Sequence, residues 1–150
     1  MKILFTTTES LFSKLIQRVT GEDVSHVAIE FPECGVVVHS DSRGTRISSS
    51  THFHNTRKVV YSVESESLKF QSDYVQDILA EYEDSGYDYG AFMFLGISLI
   101  LRKYFKIPLR KSNLWQTTGM FLCVGLGAKI IYGKENDMMT PKQLYYKLRG

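Results

Sequence analysis

Ser25-His26-Val27-Ala28-Ile29-Glu30-Phe31-Pro32-Glu33-Cys34-Gly35-Val36-Val37-Val38-His39-Ser40 is the stretch that decides the fold. Val27, Ile29 and Phe31 alternate with His26, Ala28 and Glu30, and Val36 and Val38 alternate with Val37 and His39. Alternation with period two marks half-buried strands, and Pro32–Gly35 reads as a four-residue hairpin loop ending in glycine. With that loop, Phe31 faces Val36, Ile29 faces Val38 and Ala28 faces His39. One sheet face then carries Val27, Ile29, Phe31, Val36 and Val38; the other carries His26, Ala28, Glu30, Val37 and His39. His26 and His39 become diagonal cross-strand neighbours with Cα atoms about 7–8 Å apart, within reach of two imidazoles. A slip of one residue would invert the faces of one strand. On the hairpin alone, two histidines on a half-exposed sheet face are the simpler account.

Outward from the hairpin, Lys2–Thr7 reads as a first strand and Glu9–Val19 as a helix. Its apolar residues Leu11, Phe12, Leu15, Ile16 and Val19 recur at helical spacing, with Thr8 as N-cap and Gly21 as stop. Lys58–Val63 is a further strand candidate and Gln71–Tyr82 a helix. Asp88–Phe105 reads as a long apolar helix ended by Pro108. A further helix is expected to start at Thr118 or Gly119 and run to Tyr132. Thr140-Pro141 opens a last short helix over Lys142–Leu148, with an N-cap followed by proline at the first helical position. Strands come early and helices late, which predicts a single α+β domain over residues 1–150, with a small antiparallel sheet packed against helices.

The 150 residues are 43% hydrophobic and 23% charged, ordinary for one globular domain, and the formal net charge of +2 gives no reason to expect a strong general affinity for polyanions. The charge is segregated. Glu64 to Asp88 holds eight acidic residues and one lysine, whereas Arg102 to Lys111 holds Arg102, Lys103, Lys106, Arg110 and Lys111 with no acidic residue. That basic run is the one hint of an anionic partner. The two cysteines, Cys34 and Cys123, make no disulfide framework; reduced thiols favour a cytoplasmic location. The N-terminus lacks the features of a signal peptide. The longest apolar stretch, Ala91 to Leu101, is too short to span a bilayer and is expected to be a buried core helix.

Cys123 falls early in the helix expected after Trp115-Gln116-Thr117-Thr118-Gly119. A helix N-terminus and a neighbouring imidazolium lower a thiol pKa, and the free amides there can hold an oxyanion. Cys123 is therefore expected to alkylate ahead of Cys34. A buried structural cysteine is the competing account.

Ser25-His26-Val27-Ala28-Ile29, preceded by a helix and Thr20-Gly21, resembles the circularly permuted papain-like proteins. These are the permuted NlpC-type hydrolases related to the lecithin–retinol acyltransferase-like group. In that family the histidine strand comes first and the cysteine helix late. His39 thirteen positions on, Gly44, Tyr87-Asp88-Tyr89, Cys123 and Thr140-Pro141-x-x-Leu144 follow in the same order. The resemblance covers nearly the whole chain. It implies a permuted papain-like fold with Cys123 as nucleophile, His26 as general base and His39 as the residue orienting that base. It also implies a hydrolase or acyltransferase acting on an amide, ester or thioester, such as a peptidoglycan peptide or a lipid, without a cofactor. Tyr87 and Trp115 are candidates to line the substrate cleft. Many members carry Ser-Glu after the cysteine, where this chain has Val124-Gly125. The segment Ser13 to Asp23 resembles small phage-encoded members, which implies a bacterial or bacteriophage source.

Two rivals stand beside this reading. His26, His39, Cys123 and either His52 or His54 could ligate zinc, although strand alternation is expected to turn His52 and His54 outward together. Alternatively, an inactive papain-like module binds an anionic membrane surface or nucleic acid through the basic run Arg102–Lys111.

Overall fold

The computed structural model describes residues 1–64, 77, 80–82, 85–108, 113–117, 120–133, 136 and 138–150. The chain is α+β. Strands β1 (Lys2–Thr7), β2 (His26–Phe31), β3 (Val36–Asp41), β4 (Gly44–Ser49) and β5 (Lys58–Glu64) form one antiparallel sheet in the order β4-β3-β2-β1-β5. The hairpin register is the one its alternation predicts: Phe31 pairs with Val36, Ile29 with Val38 and Ala28 with His39.

Helix α1 (Leu11–Thr20) begins two residues later than expected. Ser10, not Thr8, is the N-cap, because its side chain accepts from the Ser13 amide; Thr8 Oγ1 lies 2.9 Å from Ser10 Oγ. Gly21 closes the helix in the left-handed region. Helix α2 (Ser50–Thr56) and strand β4 were not anticipated. They correct the reading of His52-Phe53-His54 as strand: Ser49 caps a helix whose one buried side chain is Phe53. Most of the helix expected at Gln71–Tyr82 lies outside the described residues.

Helix α3 (Tyr89–Phe105) is capped by Asp88, whose carboxylate accepts from the amides of Ala91 at 2.7 Å and Thr117 at 2.6 Å. It is not a core helix: only Ala91 is buried, while Met93, Ile97, Ile100 and Tyr104 are exposed. The cause is its position. It packs chiefly against α1, and its remaining surface stays largely exposed. Among the described residues no helix is long and apolar enough to cross a membrane. Helix α4 (Cys123–Tyr132) begins at Cys123 itself, later than expected, because Leu122 is extended and serves as N-cap. Helix α5 (Pro141–Arg149) has Thr140 as N-cap and a reciprocal Gln143 contact that completes a capping box.

The sheet separates two packing layers. Ile3, Phe5, Val27, Ile29, Phe31 and Val38 meet α4 and α5, whereas Leu4, Ala28 and Val37 meet Phe53 of α2. Gly127 brings α4 close to the sheet: a Cβ there would stand 3.2 Å from Val27 Cγ1, tighter than ordinary packing allows. The N-terminus of α4 is thereby held against the strand that begins with His26.

Candidate active site

His26 and His39 project from β2 and β3 on the α2 side of the sheet, as the register requires. Their rings meet edge to face with centroids 5.5 Å apart, and the Phe53 ring lies 5.1 Å from His39 and 6.4 Å from His26. Both histidines are buried, at 6% and 2% exposure. His39 Nε2 lies 3.0 Å from Ser48 Oγ on β4, and Nδ1 faces Asp41 Oδ2 at 3.8 Å. Neither His26 Nε2 nor His39 Nδ1 has a hydrogen-bond partner among the described residues. A buried ring nitrogen without a partner costs about 1–3 kcal/mol, so this arrangement is not one that stability alone would select. Glu30, on the same face, is engaged elsewhere, its Oε1 2.9 Å from His54 Nε2.

Cys123 approaches from the other face of the sheet and lines one cavity with His26, without a hydrogen bond to His26 Nε2. It is the first residue of α4, and Ser40 Oγ donates to the Phe121 carbonyl at 2.8 Å, fixing the approach to the helix against β3. The first intrahelical bond runs from Leu126 N to Leu122 O, which leaves the amides of Cys123, Val124 and Gly125 outside the helical ladder. Cys123 and His26 line one cavity of about 590 Å³ together with Arg43, Arg57, Asp41 and Tyr87.

A second cavity, about 210 Å³, reaches Cys123 from the other direction. Leu15, Ile16 and Val19 of α1 and Phe92, Leu95 and Leu99 of α3 line it, together with Cys123, Ser25 and Tyr87. The helix α3 that was expected in the core is the outer wall of this apolar space.

The electrostatics differ from the expected thiolate–imidazolium pair. Burial pushes the Cys123 thiol above its ordinary value; the amides of Val27, Val124 and Cys123 itself and the Arg57 guanidinium pull the other way without winning. Burial also holds His26 well below the ordinary histidine value, and Arg57, His39 and Arg46 push it in the same direction. His39 falls to about 4, through burial and then Arg57, against the opposing charge of Asp41. A helix N-terminus favours a thiolate, but here it acts on a sulfur that is 8% exposed, and desolvation of the charge is the larger effect. The resting pair is neutral thiol and neutral imidazole. Iodoacetamide near neutral pH is therefore expected to modify exposed Cys34 before buried Cys123. Mass analysis of Cys34→Ser and Cys123→Ser time courses checks this, and faster modification of Cys123 would refute the neutral resting state.

Arg57 is the functional candidate that sequence reading missed. It follows α2, its guanidinium donates to Asp41 Oδ2 at 3.2 Å and lies 5.4 Å over the Phe53 ring. The spacing Phe53…Arg57, four residues apart across a capped helix, was the available signal. Trp115 lines neither cavity: it is half exposed and stacks edge-on against Phe94 at 5.6 Å, because Asp88 draws the neighbouring Thr117 amide to the start of α3. Tyr87 lines both cavities. Among the described residues no group of three His, Cys, Asp or Glu side chains converges as a metal site requires.

No family model, curated protein or solved structure matches this chain.

Proposed function

We propose that this chain is a cysteine hydrolase or acyltransferase of permuted papain-like type, with Cys123 as nucleophile and His26 as base, acting on an aliphatic acyl group. The observation that carries the reading is the position of Cys123: it heads a helix, shares a cavity with a buried imidazole, and also lines an apolar cavity bordered by α1 and α3. An aliphatic chain fits such walls, whereas a peptide would bring polar groups that these walls leave without partners.

Because both groups rest neutral, the thiol proton passes to His26 as the sulfur attacks the acyl carbonyl. The amides of Cys123 and Val124, which lie outside the helical ladder, would receive the developing oxyanion. Collapse breaks the bond to the leaving amine, alcohol or thiol, which takes the proton from His26. Water or an amine then gives its proton to His26 and attacks the acyl-enzyme, which releases the acid or amide and restores the thiol. His39 would orient His26 and, fixed by Ser48, limit its rotation.

A second reading rests on the end of α3, where Arg102, Lys103 and Lys106 are exposed beside Tyr104 and Phe105. Basic and aromatic side chains together suit a negatively charged membrane surface. Arg110 and Lys111 of the same run lie outside the described residues.

Turnover of dodecanoyl and acetyl esters, amides and thioesters tests the first reading. The dodecanoyl donors are expected to have the higher kcat/KM, and Cys123→Ala to abolish turnover. Retained activity in Cys123→Ala, or equal use of acetyl and dodecanoyl donors, would overturn it. Binding to anionic vesicles with no turnover of any donor would leave the second reading standing.

A further inference from the structure

Cys123 stands at a seam. Ile16, Ser25, Tyr87 and Cys123 are walls of both cavities, apolar on one side and polar on the other. The polar side is cationic among the described residues. Asp41 is the one carboxylate there, and its Oδ2 already accepts from Arg46 at 2.6 Å and Arg57 at 3.2 Å, while its Oδ1 accepts from the Arg43 amide at 3.0 Å. Two guanidiniums thus share one carboxylate, the side chain of Arg43 adds a further positive charge to the cavity lining, and the two neighbouring histidines are neutral, so nothing in this cluster offsets the excess.

Arg57 is also held ready. Its guanidinium is largely buried, rests over Phe53 and makes one hydrogen bond among the described residues, leaving most of its five N–H donors for another acceptor. Arg43 stands exposed at the rim of the same cavity. A planar fork fixed in a partly dry wall is the arrangement that recognises carboxylates and phosphates.

We infer that Arg57 and Arg43 form a subsite for an anionic oxyacid group on the leaving-group side of the scissile bond, so that the substrate is an amphiphile with its carbonyl between an aliphatic chain and a carboxylate or phosphate. The inference rests on the acyl-transfer reading above. The acyl carbonyl meets Cys123 Sγ with its chain between α1 and α3, and the leaving amine or alcohol departs toward Arg57, carrying the proton from His26.

Two matched pairs of donors test this: N-dodecanoylglycine against its glycinamide, and dodecanoylglycerol phosphate against dodecanoylglycerol. The anionic member of at least one pair is expected to show kcat/KM about tenfold higher, mainly through KM, since one charge-assisted contact has that magnitude. Preference within only the first pair identifies a carboxylate, within only the second a phosphate. Arg43→Gln and Arg57→Gln should bring the anionic-to-neutral ratio toward one. Equal use of both members, or a ratio unmoved in both variants, would overturn the subsite while leaving the acyl hydrolase intact. If no donor is turned over, calorimetric titration decides: dodecyl phosphate or dodecanoate binding tighter than dodecanol, with the difference lost in Arg57→Gln, sustains the subsite without the enzyme. Equal binding of all three ends it.

Discussion

His26→Ala is expected to lower kcat/KM for acyl transfer by about 10²–10⁴-fold, the usual contribution of a general base. The size of the effect follows from the resting state. A thiol whose pKa burial has raised holds little thiolate near neutral pH, so attack depends on a base that takes the proton during the step. His26 suits that task because burial keeps it unprotonated well below the ordinary histidine value. The acid limb of the rate profile should accordingly lie below about pH 6.5, the value for a solvated histidine. Steady-state rates for a dodecanoyl ester across pH, with wild type and His26→Ala, check both statements. His26→Ala should remain folded, since it removes a buried nitrogen that has no partner among the described residues. A folded His26→Ala protein with wild-type turnover would remove His26 from the mechanism.

Acidification is expected to destabilise the protein by about 3 kcal/mol through His39 alone between pH 7 and pH 4. Unfolded histidine takes up its proton near about pH 6.5, whereas folded His39 does so only at about 4. Between these values the unfolded chain binds more protons. Stability is therefore complete above the unfolded pKa and declines as pH falls toward the folded one. His26 contributes with the same sign, because its folded pKa is also depressed. Urea unfolding at pH 7 and pH 4.5 measures the loss, and His39→Gln isolates the His39 share by making the decline shallower. A wild-type stability that is flat across this range would show that the histidines are not held neutral by burial.

The two effects share one origin, the dry pocket that Phe53 and the sheet make around the imidazoles. The same desolvation that keeps His26 basic-form at mildly acidic pH makes the fold acid-sensitive. Arg57 adds to both, since its charge opposes protonation of either histidine and favours the thiolate of Cys123.

The β2–β3 hairpin and the same-face pairing of His26 with His39 were legible in the sequence, because strand side chains alternate strictly and a four-residue loop sets the register. Helix α5 was legible from Thr140-Pro141, and the core of α1 from its apolar spacing, since capping and periodicity are local properties. Residues 44–56 were not. They contain two large apolar side chains, Ile47 and Phe53, too few for a period, and their structure comes from pairing with β3 and from burying Phe53 under the sheet. Arg57, Asp41 and Ser48 reached the site by that packing. The position of α3 was equally a tertiary matter: an apolar sequence can fill a core or wall a cavity, and only its neighbours decide. The sign of the Cys123 shift belongs to the same class. Helix position and a nearby histidine predict a lowered thiol pKa, but Cys123 packs with Ile3, Phe5, Val24, Val27 and Leu144, and desolvation by residues far along the chain outweighs the local dipole.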